Sequence, residues 1–137
     1  MAVIEQLIQK EDDGTLSFGN FTLEKKSKVS DFEYEGDLYK VKTFYEITKL
    51  ERNGLFIYES VPGTAVSHMK LSDEGLSFTV EGKEDAQITL ELEPEKEYSV
   101  TIDGRDSGMM KTNLGGKLNL SVELNLNEPV QIAVVQK

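Results

Sequence analysis

From Leu76 onward the apolar residues of this chain recur at every second position, in short runs. The runs are Leu76, Phe78 and Val80; Ile88, Leu90 and Leu92; Tyr98, Val100 and Ile102; Leu118, Leu120, Val122 and Leu124; and Val130, Ile132 and Val134. A period of two places one side of an extended strand against a core and the other in water. Turn formers separate the runs: Asp73-Glu74-Gly75, Glu81-Gly82, Asp103-Gly104 and Leu114-Gly115-Gly116. Short strands at regular spacing, punctuated in this way, close as a sandwich or a barrel. The pattern therefore predicts an all-β chain whose residues 64–137 form a β-sandwich.

Residues 1–63 read as a hairpin-rich β segment packed against that sandwich. Leu16 and Phe18 alternate, Gly19-Asn20 supplies a turn, and Phe21 and Leu23 alternate again, which predicts a hairpin. Residues 24–30 read as a polar connection. A second hairpin is predicted around Gly36-Asp37, placing Phe32 and Tyr34 opposite Val41 and Tyr39, and Asp31 and Glu33 opposite Lys42 and Lys40. A third turns at Asn53-Gly54, with arms Phe44–Leu50 and Leu55–Glu59. Val61-Pro62-Gly63-Thr64 marks the boundary between the two segments, 1–63 and 64–137. It is too short for a flexible linker, so the two are expected to share one core. Val3, Ile4, Leu7 and Ile8 have helical spacing, and the stretch to Lys10 reads equally as a short helix or a strand.

The chain has 137 residues, 38% apolar and 29% charged, which suffices for a core without covalent staples. It has no cysteine, which removes disulfides, thiolate metal sites and cysteine nucleophiles together. The net charge of −10 argues against nucleic acid and anionic membranes as partners, because both call for a basic surface. No basic region followed by an apolar run opens the sequence, so the expected location is the cytoplasm.

Leu92-Glu-Pro94-Glu-Lys-Glu-Tyr98-Ser-Val100 resembles the Leu-x-Pro-x-x-x-Tyr-x-Val signature of fibronectin type III modules. The resemblance implies an immunoglobulin-like sandwich with Tyr98 closing a tyrosine corner, its hydroxyl bonded to a backbone group near the preceding turn. As a whole the chain resembles short acidic bacterial proteins labelled endosialidase. That likeness is carried by Asp37-Leu-Tyr-Lys-Val-Lys-Thr-Phe, Leu50-Glu-Arg-Asn-Gly, Tyr58-Glu-Ser-Val-Pro-Gly-Thr-Ala and Lys111-Thr-Asn-Leu-Gly-Gly-Lys-Leu. Sialidases generally grip the sugar carboxylate with three arginines. This chain has only Arg52 and Arg105.

Few residue patterns carry chemistry. Asp31-x-Glu33-x-Glu35-Gly36-Asp37 resembles the start of a calcium loop, but the twelfth position, where an EF-hand needs a bidentate acid, is Lys42. Cross-strand pairing with lysines is the expected role of Asp31 and Glu33. Glu91, Glu93, Glu95 and Glu97 alternate and read as a solvated face and turn. His68, the single histidine, follows Ser67, and neighbours on a strand point to opposite faces, so the two make no nucleophile–base pair. Asn113-Leu-Gly115-Gly116-Lys117 lacks phosphate-loop spacing and reads as a turn. No cofactor and no metal is expected.

The aromatic-rich stretch of Phe32, Tyr34, Tyr39, Phe44, Tyr45, Phe56 and Tyr58 reads first as core. Tyr34, Tyr39, Tyr45 and Tyr58 are also candidates for a partner or ligand surface, with Met109 and Met110, of which one must face outward on a regular strand. The expected function is a non-catalytic interaction module, with a protein partner or self-association. The alternative is a carbohydrate-active enzyme or its accessory carbohydrate-binding module.

Overall fold

A computed structural model of the chain describes residues 3–137. Thirteen strands follow one another: β1 (Ile8–Lys10), β2 (Leu16–Phe18), β3 (Ser27–Tyr34), β4 (Asp37–Phe44), β5 (Ile47–Arg52), β6 (Leu55–Val61), β7 (Ala65–Ser72), β8 (Gly75–Glu81), β9 (Ala86–Glu91), β10 (Glu97–Ile102), β11 (Arg105–Lys111), β12 (Lys117–Val122) and β13 (Val130–Gln136). They form two antiparallel sheets. The larger has the order β1-β2-β7-β8-β13-β10-β11 and the smaller the order β12-β9-β6-β5-β4-β3. The fold is an all-β sandwich.

The alternation that predicted the strands also builds the core. Leu76, Phe78, Val80, Ile88, Leu90, Tyr98, Val100, Leu118, Leu120, Val122, Leu124, Val130, Ile132 and Val134 are all buried in one cluster, with Leu92 and Ile102 half-buried against it. Tyr34, Tyr39, Val41, Leu50 and Tyr58 from the first 63 residues belong to the same cluster. Tyr58 sits between Phe18 and Phe78, edge-on to both rings at 5.2 and 5.6 Å. Strands from either side of Val61–Thr64 pair directly, β2 with β7 and β6 with β9. Of the seven strands in residues 64–137, five lie in the larger sheet and two in the smaller.

Several local expectations change. Residues 3–10 contain no helix: Ile4 to Leu7 make a turn and Ile8–Lys10 is a strand. Leu16–Phe18 does not fold back on Phe21–Leu23, and pairs instead with β1 and β7. At Gly19 the chain passes so close to the Thr64 carbonyl that a Cβ would lie 2.5 Å from its oxygen, and the Asn20 amide donates to Thr43 Oγ1. These ties carry the chain away from its own preceding strand. The polar stretch 24–30 already contributes Ser27 onward to β3, the edge of the smaller sheet.

The β3–β4 turn is Glu35-Gly36, not Gly36-Asp37, with Tyr34 opposite Asp37, Glu33 opposite Leu38 and Phe32 opposite Tyr39. Glu35 and Gly36 both have positive φ, 52° and 82°, as a two-residue hairpin turn of this hand requires. An irregularity between Val29 and Phe32 then brings Val29 opposite Val41 and Lys28 opposite Lys42. Asp31 and Glu33 therefore do not face Lys42 and Lys40. Asn53-Gly54 turns as expected, but its first arm starts at Ile47, because Tyr45-Glu46 is itself a hairpin turn after β4.

Candidate functional site

In both sheets every hydrogen-bonded neighbour pair joins an odd-numbered strand to an even-numbered one. The three residues between β6 and β7 cross from one sheet to the other, so strand ends coincide between the layers. The connections β1–β2, β3–β4, β5–β6, β7–β8, β9–β10 and β11–β12 thus gather at one end of the sandwich. Loops collected on a rigid sheet scaffold are where sandwiches place their binding surfaces.

Two clefts open at that end, with Arg52 and Leu71 as their common wall. One, of about 600 Å³, has Leu55, Ile57, Leu76, Leu92 and Tyr98 on its apolar side and Asp73, Glu91 and Glu93 at its edge. The other, of about 540 Å³, is lined by Tyr34, Tyr39, Asp13, Thr15, Asp37 and Lys70. Burial pushes the Tyr39 phenol upward, with the neighbouring Arg52 guanidinium acting against it. The Tyr34 phenol is also raised, by burial first and by the Glu35 charge second, and its hydroxyl donates to the Gly14 carbonyl at 2.6 Å. Leu55, at the start of β6, is 67% exposed and Leu114, in the β11–β12 connection, 80%, leaving two large aliphatic groups in water at this end.

The opposite end is closed by buried hydroxyls. Asn20 N donates to Thr43 Oγ1, which lies 2.8 Å from Thr48 Oγ1, and Thr48 Oγ1 donates to the Thr64 carbonyl. Thr64 Oγ1 meets the Tyr58 hydroxyl at 2.7 Å and Ser60 Oγ at 2.8 Å. The Tyr58 phenol, fully buried, is pushed well above its ordinary value by desolvation, against the hydrogen bonds from Thr64 and Ser60. No buried side-chain polar atom among the described residues lacks a partner.

His68 has more partners than the sequence suggested. It occupies an irregularity in β7 with φ of 53°. Its Nδ1 lies 3.1 Å from both Asp13 Oδ2 and Thr15 Oγ1, and its Nε2 lies 3.8 Å from Glu11 Oε2. Ser17 Oγ accepts from the His68 amide and donates to Glu11 Oε2. The Thr15 hydroxyl and amide both donate to Asp13 Oδ1 and hold that carboxyl below its usual range, with His68 a smaller contribution. Because the Thr15 proton goes to Asp13, Nδ1 of His68 faces two acceptors and serves as their donor. The cluster straps residues 11–15 onto β7. The hydroxyl that the ring meets, Thr15 Oγ1, already donates to Asp13. Partners 51 to 57 residues away, from Ser17 to Glu11, gave the sequence no local signal.

The remaining candidates separate. Tyr34, Tyr39 and Tyr58 are core side chains, whereas Tyr45 is 51% exposed at the β4–β5 turn. Met109 is 47% exposed on edge strand β11, and Met110 packs against the core. Glu35 pairs with Lys10 at 3.7 Å and Asp37 accepts from Asn53 Nδ2, so the acidic stretch 31–37 does not converge on one point. Among the described residues, no three His, Cys, Asp or Glu side chains make a metal-binding group. Glu93 and Glu95 lie in the β9–β10 connection, where the Glu93 amide donates to the Tyr98 hydroxyl at 3.1 Å. In the 113–117 turn, Asn113 Oδ1 takes the amides of Gly115 and Lys117, which are therefore not turned outward to a phosphate. Comparison with protein-family models, curated proteins and solved structures finds no match to this chain.

Proposed function

We propose that this chain is a non-catalytic binding module whose partner engages the loop end of the sandwich. The observation that carries the reading is the pair of adjoining clefts that share Arg52 and Leu71. A partly apolar cleft with a few polar groups fits a binding site. The apolar wall suits an aliphatic or aromatic anchor from a partner polypeptide. The carboxylates around it suit that partner's cations or amide donors, and Leu55 and Leu114 offer further apolar contact.

The test is to select peptides from a displayed random library against the full chain and measure their binding by calorimetry. Leu55→Glu and Leu114→Glu alter exposed side chains and leave the core intact. Either is expected to weaken the selected peptides by about tenfold, as loss of an interface anchor does. Lys83→Glu, on the β8–β9 connection at the opposite end, is expected to leave them unchanged. Peptides insensitive to both leucine substitutions, or failure to select any, would overturn the assignment.

A further inference from the structure

The outer face of the smaller sheet carries a charge pattern at odds with the rest of an acidic chain. Lys28 on β3 stands directly opposite Lys42 on β4, and Lys42 directly opposite Lys49 on β5. Cross-strand partners share a face, and neighbouring strands lie about 4.8 Å apart, so three ammonium stems form one row across three strands. Lys40 follows on the same face of β4, two residues from Lys42, a step of about 6.8 Å. Lys26 reaches the end of the patch, with its Nζ over the Phe44 ring at 5.8 Å from the centroid.

Like charges directly opposite one another destabilise a sheet. The net charge of −10 shows that carboxylates are abundant in this sequence, yet the positions facing Lys42 on both neighbouring strands are lysines. Lys49 has Glu51 at 3.7 Å and faces Glu59 on β6, and Glu51 itself stands opposite Lys40, so the basic patch ends at β5 and Lys42 alone has lysines on both sides. Among the described residues, Lys26, Lys28, Lys40 and Lys42 make no ion pair. The Lys42 ammonium is held below its ordinary value by burial first and then by Lys26, Lys49, Lys28 and Lys40. The protein thus keeps a half-buried lysine amid four others, an arrangement that an added anion would relieve.

We propose that this face, centred on Lys42, is a docking surface for an extended acidic segment of a partner polypeptide. An extended chain presents alternate side chains on one side at the same two-residue repeat that separates Lys40 from Lys42. A segment with Asp or Glu at every second position, laid along β4, places successive carboxylates over those two lysines, with Lys28 and Lys49 flanking them. Lysine rows suit carboxylates as point charges. The forked, bidentate recognition of phosphate and sulfate favours arginine, which this face lacks. Single-stranded nucleic acid calls for rings interleaved with the charges. Here Phe44 lies at the patch end, beneath Lys26, and the lysine row itself contains no ring.

The experiment uses the full chain and a fluorescent peptide in which Glu alternates with Thr, read by anisotropy. The controls are a peptide of the same composition with its glutamates in one block, a sulfated glycan and a single-stranded oligonucleotide. The alternating peptide is expected to bind more tightly than all three. Lys42→Gln and Lys28→Gln should each weaken it about fivefold, whereas Lys83→Gln leaves it unchanged. Melting temperatures of the variants at or above that of the parent would show that the loss is not unfolding. No binding of the alternating peptide, equal binding to Lys42→Gln, or tighter binding of the glycan or oligonucleotide would overturn the proposal. It concerns a different face from the loop-end clefts, and Leu55→Glu is expected not to affect it.

Discussion

Thr48 Oγ1 serves both backbone polar groups of Thr64: it accepts from the amide at 3.0 Å and donates to the carbonyl at 2.8 Å. Both residues are fully buried, so no water replaces either bond. Thr48→Val keeps the shape and removes the hydroxyl. The orphaned Thr64 amide and carbonyl, with the Thr43 hydroxyl that loses its acceptor, are expected to cost about 3 kcal/mol or more together, since each buried unsatisfied group costs about 1–3 kcal/mol. Urea denaturation is the measurement, and an unchanged midpoint would mean that the closed end repacks around the loss.

Tyr58 sets a limit at alkaline pH. Its folded value is raised by desolvation above the ordinary 10.0, so the neutral phenol is the form the fold accepts. A raised folded value means that the stabilisation is complete below the unfolded value and is lost as pH climbs beyond it. Tyr39 and Tyr34 are raised too and act with the same sign. The midpoint of thermal unfolding is expected to fall steadily above about pH 10, the ordinary tyrosine range, while tyrosinate absorbance beyond that of the exposed Tyr45 appears together with unfolding. In Tyr58→Phe the fall should be shallower. A parallel fall in parent and variant would show that Tyr58 is not the group responsible.

Gly63 and Gly14 make a contrasting pair. A Cβ on Gly63 would lie 2.0 Å from the Phe44 carbonyl oxygen, backbone against backbone. Gly14 has positive φ but open space around it. Gly63→Ala should therefore cost about 3 kcal/mol or more through overpacking. Gly14→Ala should cost about 1 kcal/mol through backbone strain alone. Equal melting temperatures for the two variants would contradict the close approach.

Tyr98→Phe removes one acceptor, the hydroxyl that receives the Glu93 amide. About 1 kcal/mol is expected, the net worth of one such bond, with the fold unchanged. Equal urea midpoints for parent and variant would show that the amide finds water instead.

The period-two runs from Leu76 to Val134 were legible because burial on one face of a strand writes itself directly into sequence. Asn53-Gly54 and Asp103-Gly104 were legible because their residues suit positive φ. Glu35-Gly36 was not, since glutamate seldom accepts φ of 52° and the neighbouring Gly36-Asp37 looked the better turn. That choice shifted the β3–β4 register and hid the facing of Lys28 and Lys42. The irregularity between Val29 and Phe32 hid it further, because a bulge depends on tertiary context and not on one residue type. The clefts beside Arg52 and the His68 strap join residues from distant loops, and no local spacing announces them.

The place of β13 has a consequence for the order in which the protein is made. It lies between β8 and β10 and pairs with both, yet in chain order it is the last of the thirteen described strands to become available. Until then, the larger sheet exists as two unjoined pieces, β1-β2-β7-β8 and β10-β11, each with an open edge. The smaller sheet has all six strands available earlier, once β12 has been translated. The smaller sheet can therefore close first, while the layer that covers it stays split until β13 inserts between β8 and β10. The chain is accordingly most exposed to misassembly before β13 inserts.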